Sequence, residues 1–154
     1  MPVKVVDASA LGALLFGEPD GTTVAEQLGD GDLIAPAQLG FEVANICLKK
    51  MASHSDRHDA LLEAFAMFGR MAIETVEVDH EETIRLASDA GLTAYDASYL
   101  WLATQHRGEL ITLDKRLGRA IKNWAQSWMR LSQVLHKPHS DPYYSPITRE
   151  RRRR

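Results

Sequence analysis

The sequence predicts an α/β domain built on a central, mostly parallel sheet. Short β-prone runs alternate with longer segments of helical apolar spacing, the order from which parallel sheets are made. The helical segments also carry their own start and stop signals, Asp, Thr or Pro before them and Gly after them, which separate them from the strands. With 154 residues, 45% hydrophobic and 25% charged, the chain suffices for one domain with a real core.

Taken in order, Val3–Val6 is a first strand, and Ala8–Phe16 a helix stopped by Gly17 with Pro19 close behind. Gly21–Leu28 is a short helix that ends in the turn-like GDGD of residues 29–32, and Leu33–Ala35 is a second strand. Pro36 opens the helix Ala37–Met51, which is apolar enough to be expected buried. Ser55–Arg70 carries Leu61, Leu62, Phe65 and Phe68 at helical spacing. Ile73–Val78 alternates apolar and acidic residues as a strand does. Asp79 caps a helix over His80–Ala90, and Gly91 ends it; Thr93 starts the helix Ala94–His106, and Gly108 closes it. Glu109–Thr112 is a fourth strand, Asp114–Trp124 a helix, and Trp128–Leu131 a last short strand. The domain is expected to span 1–137. The Pro/Tyr/Arg-rich segment 138–154 reads as an appended flexible tail.

Composition narrows the function classes. The one cysteine, Cys47, rules out an internal disulfide and suits a reducing, cytoplasmic setting. No apolar run approaches the ~20 residues of a membrane span, and MPVKVVD lacks a secretory pattern, so no membrane partner is expected. The net charge of −3 is uneven: residues 138–154 carry +3, leaving −6 on residues 1–137. An acidic body is no obvious nucleic-acid clamp, but it suits a cluster of carboxylates that takes a cation.

Four acids stand where such a cluster would form. Asp7 follows the first strand and Asp114 the fourth, both at carboxyl ends, where open parallel sheets place their sites. Each also reads as a helix cap worth ~1 kcal/mol. Asp96 has capping-box spacing from Thr93. Glu42 shares a helix face with Leu39 and Ile46, where an unpaired carboxylate is costly and no Lys or Arg lies within a turn on that face. Two like charges ~4 Å apart repel by ~4 kcal/mol at an effective dielectric of 20. A gathered set therefore needs protons or a divalent cation, and all-oxygen ligands select Mg²⁺ or Mn²⁺. The residues themselves leave caps and cation site both open.

The ordered set VVDAS, QLGFEVANICLKK, LTAYDASYLWLA and LITLDKRLGRA resembles the PIN domain family, and within it the VapC-type toxin ribonucleases. The resemblance spans nearly all of residues 3–124. It implies a three-layer α/β/α fold and a metal-dependent endoribonuclease, the toxin of a type II toxin–antitoxin system. Asp7, Glu42, Asp96 and Asp114 are then the catalytic and metal-binding residues, with Mg²⁺ or Mn²⁺ as cofactor and RNA as substrate. Ser9 and Thr112 match small polar positions that support the acids. Lys115 and Arg116 stand where some relatives carry a further acid, so a fifth carboxylate is absent there. The implied partners are a VapB-like antitoxin and a second copy of the chain in a homodimer, with larger toxin–antitoxin assemblies beyond that.

Other residues read more simply. His54 and His58 have i,i+4 spacing but a polar, loop-like context, and Cys47 reads as a packing thiol. Trp101, Trp124 and Trp128 read as core or interface residues, and Lys49, Lys50, Lys115, Arg116, Arg119 and Lys122 as solvated cations with an RNA groove as the alternative. The competing functions are a PIN nuclease that processes RNA without an antitoxin, a phosphorylated receiver or phosphatase using Asp7, and a catalytically silent binding domain.

Overall fold

A computed structural model describes residues 1–135 of the chain; the expectations for the tail 138–154 lie outside the described residues. Four strands, β1 (Val3–Val6), β2 (Asp32–Ala35), β3 (Ile73–Thr75) and β4 (Glu109–Ile111), form one sheet in the order β3-β2-β1-β4. All pairings are parallel: Val5 lies opposite Ile34 on one side and Leu110 on the other, and Leu33 opposite Ile73. The connections step from β1 outward to β3, then return across the sheet to β4. The order therefore reverses between β1 and β4, and the crevice at their carboxyl ends is the place where such sheets bind ligands.

Seven helices cover the sheet: α1 (Ala8–Leu15), α2 (Gly21–Leu28), α3 (Leu39–Ser53), α4 (His58–Phe68), α5 (His80–Ala90), α6 (Ala94–Gln105) and α7 (Lys115–Leu135). Helices α1 to α4 pack among themselves, as do α5 to α7, giving the three-layer α/β/α arrangement expected from the sequence. Right-handed crossovers produce this split, because reversing the direction of travel moves the helices to the other face. The core between the layers holds Val5, Val6, Leu11, Val43, Leu100, Leu102, Ile111 and Leu117. Among the described residues, no helix is long and apolar enough to cross a membrane.

Local chemistry sets the helix ends. Asp79 accepts from Glu82 N–H at 2.9 Å, and Thr93 Oγ1 from Asp96 N–H at 3.1 Å, as their positions predict. Gly91 closes α5 at φ 66°, a left-handed conformation that favours glycine. Gly21 lets α2 approach α1: a Cβ there would meet Ala13 O at 2.7 Å.

Two expectations are corrected. Residues 128–131 are not a strand but lie within α7. Apolar residues at 117, 121, 124, 128 and 131 follow the helical period, and neither Gly nor Pro interrupts 119–135. Helix α3 is not buried all round. It buries Leu39, Val43 and Cys47, whereas Phe41 is 80% and Leu48 61% exposed, because only one of its faces meets α1 and α4. Two smaller differences concern boundaries. The segment predicted as one helix from Ser55 begins with a 3-10 turn, Ser55–Arg57, and the strand predicted over 73–78 ends at Thr75, with Val76 N–H adding one bond to Ala35 O.

Candidate active site

The site is built outward from Asp7. The chain leaves β1 at this residue, and the Asp7 carboxylate caps α1 by accepting from Ala10 N–H at 3.0 Å. It is 5% exposed, so its charge needs partners. Ser9 Oγ donates to it, 2.8 Å from Oδ1 and 2.9 Å from Oδ2. Thr112 Oγ1, just past β4, donates to Oδ2. These two hydroxyls also bind the β4 loop: Ser9 Oγ accepts from Leu113 N–H at 2.9 Å, and Thr112 Oγ1 from Asp114 N–H at 3.0 Å. Ser9 and Thr112 thus tie the ends of β1 and β4 together through one buried carboxylate. Asp114 caps α7, its Oδ1 accepting from Arg116 N–H at 2.7 Å and Leu117 N–H at 3.1 Å.

Glu42, in the first turn of α3, lies half-buried beside α6. Tyr99 O–H donates to its Oε2 at 2.7 Å. Tyr99 is 1% exposed, so this hydroxyl is held by the surrounding core. Asp96 lies one turn before Tyr99 on α6. Its main-chain N–H binds Thr93, but among the described residues its carboxylate does not return the bond that would complete a capping box.

The electrostatics link the four acids. Burial holds the Asp7 carboxyl above the ordinary 3.8; its hydrogen bonds from Thr112, Ala10 and Ser9 pull it back, and the charge of Asp114 pushes it up again. Burial likewise raises Glu42, opposed by the Tyr99 hydrogen bond and reinforced by the charges of Asp96 and Asp7. Burial and the neighbouring Glu42 push the Tyr99 hydroxyl far up, so it remains a donor at any working pH. Asp7 therefore feels Asp114, and Glu42 feels Asp96 and Asp7. Among the described residues, none of the ion pairs within 4 Å uses any of these four carboxylates.

This frame has known counterparts. The PIN domain family model matches residues 4–123. The chain belongs to the PIN domain family. A relative named Ribonuclease VapC3, from Pyrobaculum aerophilum, is 31% identical over 118 residues, covering 73% of this chain and 90% of the relative. The crystal structure of PAE2754 from Pyrobaculum aerophilum superposes with a TM-score of 0.63 at 25% identity, covering 86% of this chain and 90% of that one.

Within this PIN domain the donor set suits a hard divalent cation: carboxylate oxygens, no pairing cation among the described residues, and neighbouring charges that raise the proton affinity of Asp7 and Glu42. The set is open rather than closed. Among the described residues, no three His, Cys, Asp or Glu side chains already stand as a ligand cage. Mutual repulsion keeps such carboxylates apart until a cation or protons offset it.

Tyr99 is the residue that reading the sequence missed. Its signal was present in YDASY, where it follows Asp96 by one turn, but its bond to Glu42 spans 57 positions. Residues expected to be bystanders have ordinary partners. His54 Nδ1 and His58 Nε2 lie at 3.1 and 2.9 Å from the carbonyls of Lys50 and Met51. Buried Cys47 approaches Leu61 O at 3.6 Å, and Trp101 Nε1 donates to Glu82 at 2.7 Å. Lys50 pairs with Glu18 at 2.6 Å.

Proposed function

We propose that this protein is a metal-dependent endoribonuclease and the toxin of a type II toxin–antitoxin system, with Asp7, Glu42, Asp96 and Asp114 as its metal-binding and catalytic residues. The observation that carries the reading is the buried Asp7 at the β1/β4 switch point, without an ion-pair partner among the described residues and within electrostatic reach of Asp114 and Glu42. The name of the relative, Ribonuclease VapC3, supports RNA as substrate, and the antitoxin partner follows from the VapC-type resemblance of the four motifs. A homodimer and a cytoplasmic location belong to the same reading, as does a domain spanning 1–137.

The residues divide the work. Asp7 is held by Ser9, Thr112 and the start of α1, so its carboxylate keeps one orientation. Glu42 is aimed by Tyr99. Asp114 is set by its cap on α7, while Asp96 keeps its carboxylate outside the capping bonds of α6. Together they would hold Mg²⁺ or Mn²⁺, which when bound supplies an activated water and neutralises charge on the phosphoryl oxygens. Without that cation the acids repel the phosphates, so RNA and metal are expected to bind together.

The test is cleavage of RNA by the purified full chain, with and without Mn²⁺, and mapping of new 5′ ends in cells after induction against an Asp96→Asn control. Metal-dependent cuts absent from the control support the reading. Equal cutting by both proteins refutes the site, and growth arrest that the gene immediately upstream fails to relieve refutes the antitoxin partnership.

A further inference from the structure

A small cavity of about 230 Å³ lies between the starts of α3, α5 and α6, and the acids do not line it. Its walls include Val78, Ile84 and Tyr95, with Gln38, His80 and Ser98 as polar groups. Two of the most exposed large apolar side chains in the domain, Tyr95 at 66% and Ile84 at 62%, thus border the same hollow. Scattered apolar residues on a surface need no explanation, but two around one cavity do. Two of its lining residues are chain neighbours of the acids: Gln38 is one turn before Glu42, and Tyr95 immediately precedes Asp96. The Gln38 amide donates to Ser98 Oγ and to Tyr95 O, which fixes the turn carrying the tyrosine.

We propose that this cavity receives one unstacked nucleobase of the RNA, next to the phosphodiester to be cut, with Tyr95 as its stacking platform. This rests on the RNA-cleaving reading above. Three features select a base over other ligands. The volume lies below the roughly 300–1,000 Å³ of typical small-molecule sites and suits a fragment the size of one base. The lining contains an aromatic face and neutral amide and hydroxyl groups, which is how single-stranded RNA is bound by proteins. The phosphate backbone is directed elsewhere, because the wider groove of about 630 Å³ that shares Gln38, Val78 and His80 also carries Glu77 and Asp79. Only an uncharged part of the RNA enters on that side. Base preference at the cut is therefore set by the Tyr95 pocket.

The probes are fluorescein-labelled single-stranded RNA hexamers, intact or with one abasic ribose placed at each position in turn. Binding to the full chain is read by anisotropy with Ca²⁺ in place of Mg²⁺. The wild type is expected to lose about tenfold in affinity at one abasic position, as removal of a stacked base does. Tyr95→Leu binds the intact hexamer about tenfold more weakly and loses nothing further at that position, whereas Tyr95→Phe behaves as wild type. Independent, multiplicative losses overturn the proposal, as does unchanged affinity in Tyr95→Leu or a wild type that binds no hexamer. Parallel cleavage in Mn²⁺ separates the two claims. Cutting without the coupling removes the pocket and leaves the nuclease; coupling without cutting does the reverse.

Discussion

The hydroxyl of Tyr99 is the most economical place to perturb the proposed site, since Tyr99→Phe removes one atom and leaves the packing of a 1%-exposed ring intact. That atom donates to Glu42 Oε2 at 2.7 Å. A hydrogen bond to a charged acceptor is worth about 1.5–3 kcal/mol, and the lower end applies because half-buried Glu42 regains some water. A loss of about 1.5 kcal/mol corresponds to a fall of about 3–6 °C in Tm for a domain of this size. The bond favours ionised Glu42, so its contribution is present at neutral pH and is lost as pH falls through the Glu42 ionisation. The destabilisation should shrink in acid accordingly. Glu42 already lies above its ordinary 4.5 because of burial, and losing the Tyr99 bond moves it higher. The acid limb of Mn²⁺ binding should therefore shift to higher pH. Groups that orient a metal ligand from behind typically change metal affinity by about 10–100-fold, and tenfold is expected here. Calorimetric titration with Mn²⁺ across pH, together with thermal melts, reads both effects. A natively folded Tyr99→Phe with unchanged Mn²⁺ affinity and an unchanged acid limb would refute the claim that Tyr99 positions a metal ligand.

Asp7→Asn should abolish Mn²⁺-dependent RNA cleavage yet raise Tm at pH 7 in EDTA. Asn also caps helices well, and the Asp7 carboxyl is raised by burial, so its stabilising contribution is present below 3.8 and is lost as pH rises through the folded value. The gain should close towards pH 3.8, and a variant less stable than wild type at pH 7 would count against the buried charge. Thr112→Val leaves Asp7 Oδ2 and Asp114 N–H without the hydroxyl they share, a loss of about 1–3 kcal/mol by urea denaturation, and an unchanged midpoint would show the link to be dispensable. Gly91→Ala should cost about 1 kcal/mol through its φ of 66° alone, since among the described residues nothing beyond the local backbone lies within 4 Å of the added methyl; equal stability of the two proteins would contradict this.

The helix boundaries were legible because their chemistry is local. Asp79 and Thr93 reach an N–H three residues on, and Gly91 takes its conformation alone. The misread strand at 128–131 shows the limit of that locality: β-prone residues there also fit the helical period begun at Leu117, and continuity with α7 decides between the two. Periodicity likewise marked α3 as apolar without showing that Phe41 and Leu48 would remain exposed, because exposure depends on where neighbouring helices end. For the candidate site, the sequence alone determined which acids follow strands and open helices, and in what order, since strand ends and caps are read over a few residues. Only the tertiary structure decided that Thr112 would reach Asp7 across 105 positions and Tyr99 would reach Glu42 across 57. Those bonds depend on parallel strand register and helix packing, which no local pattern encodes.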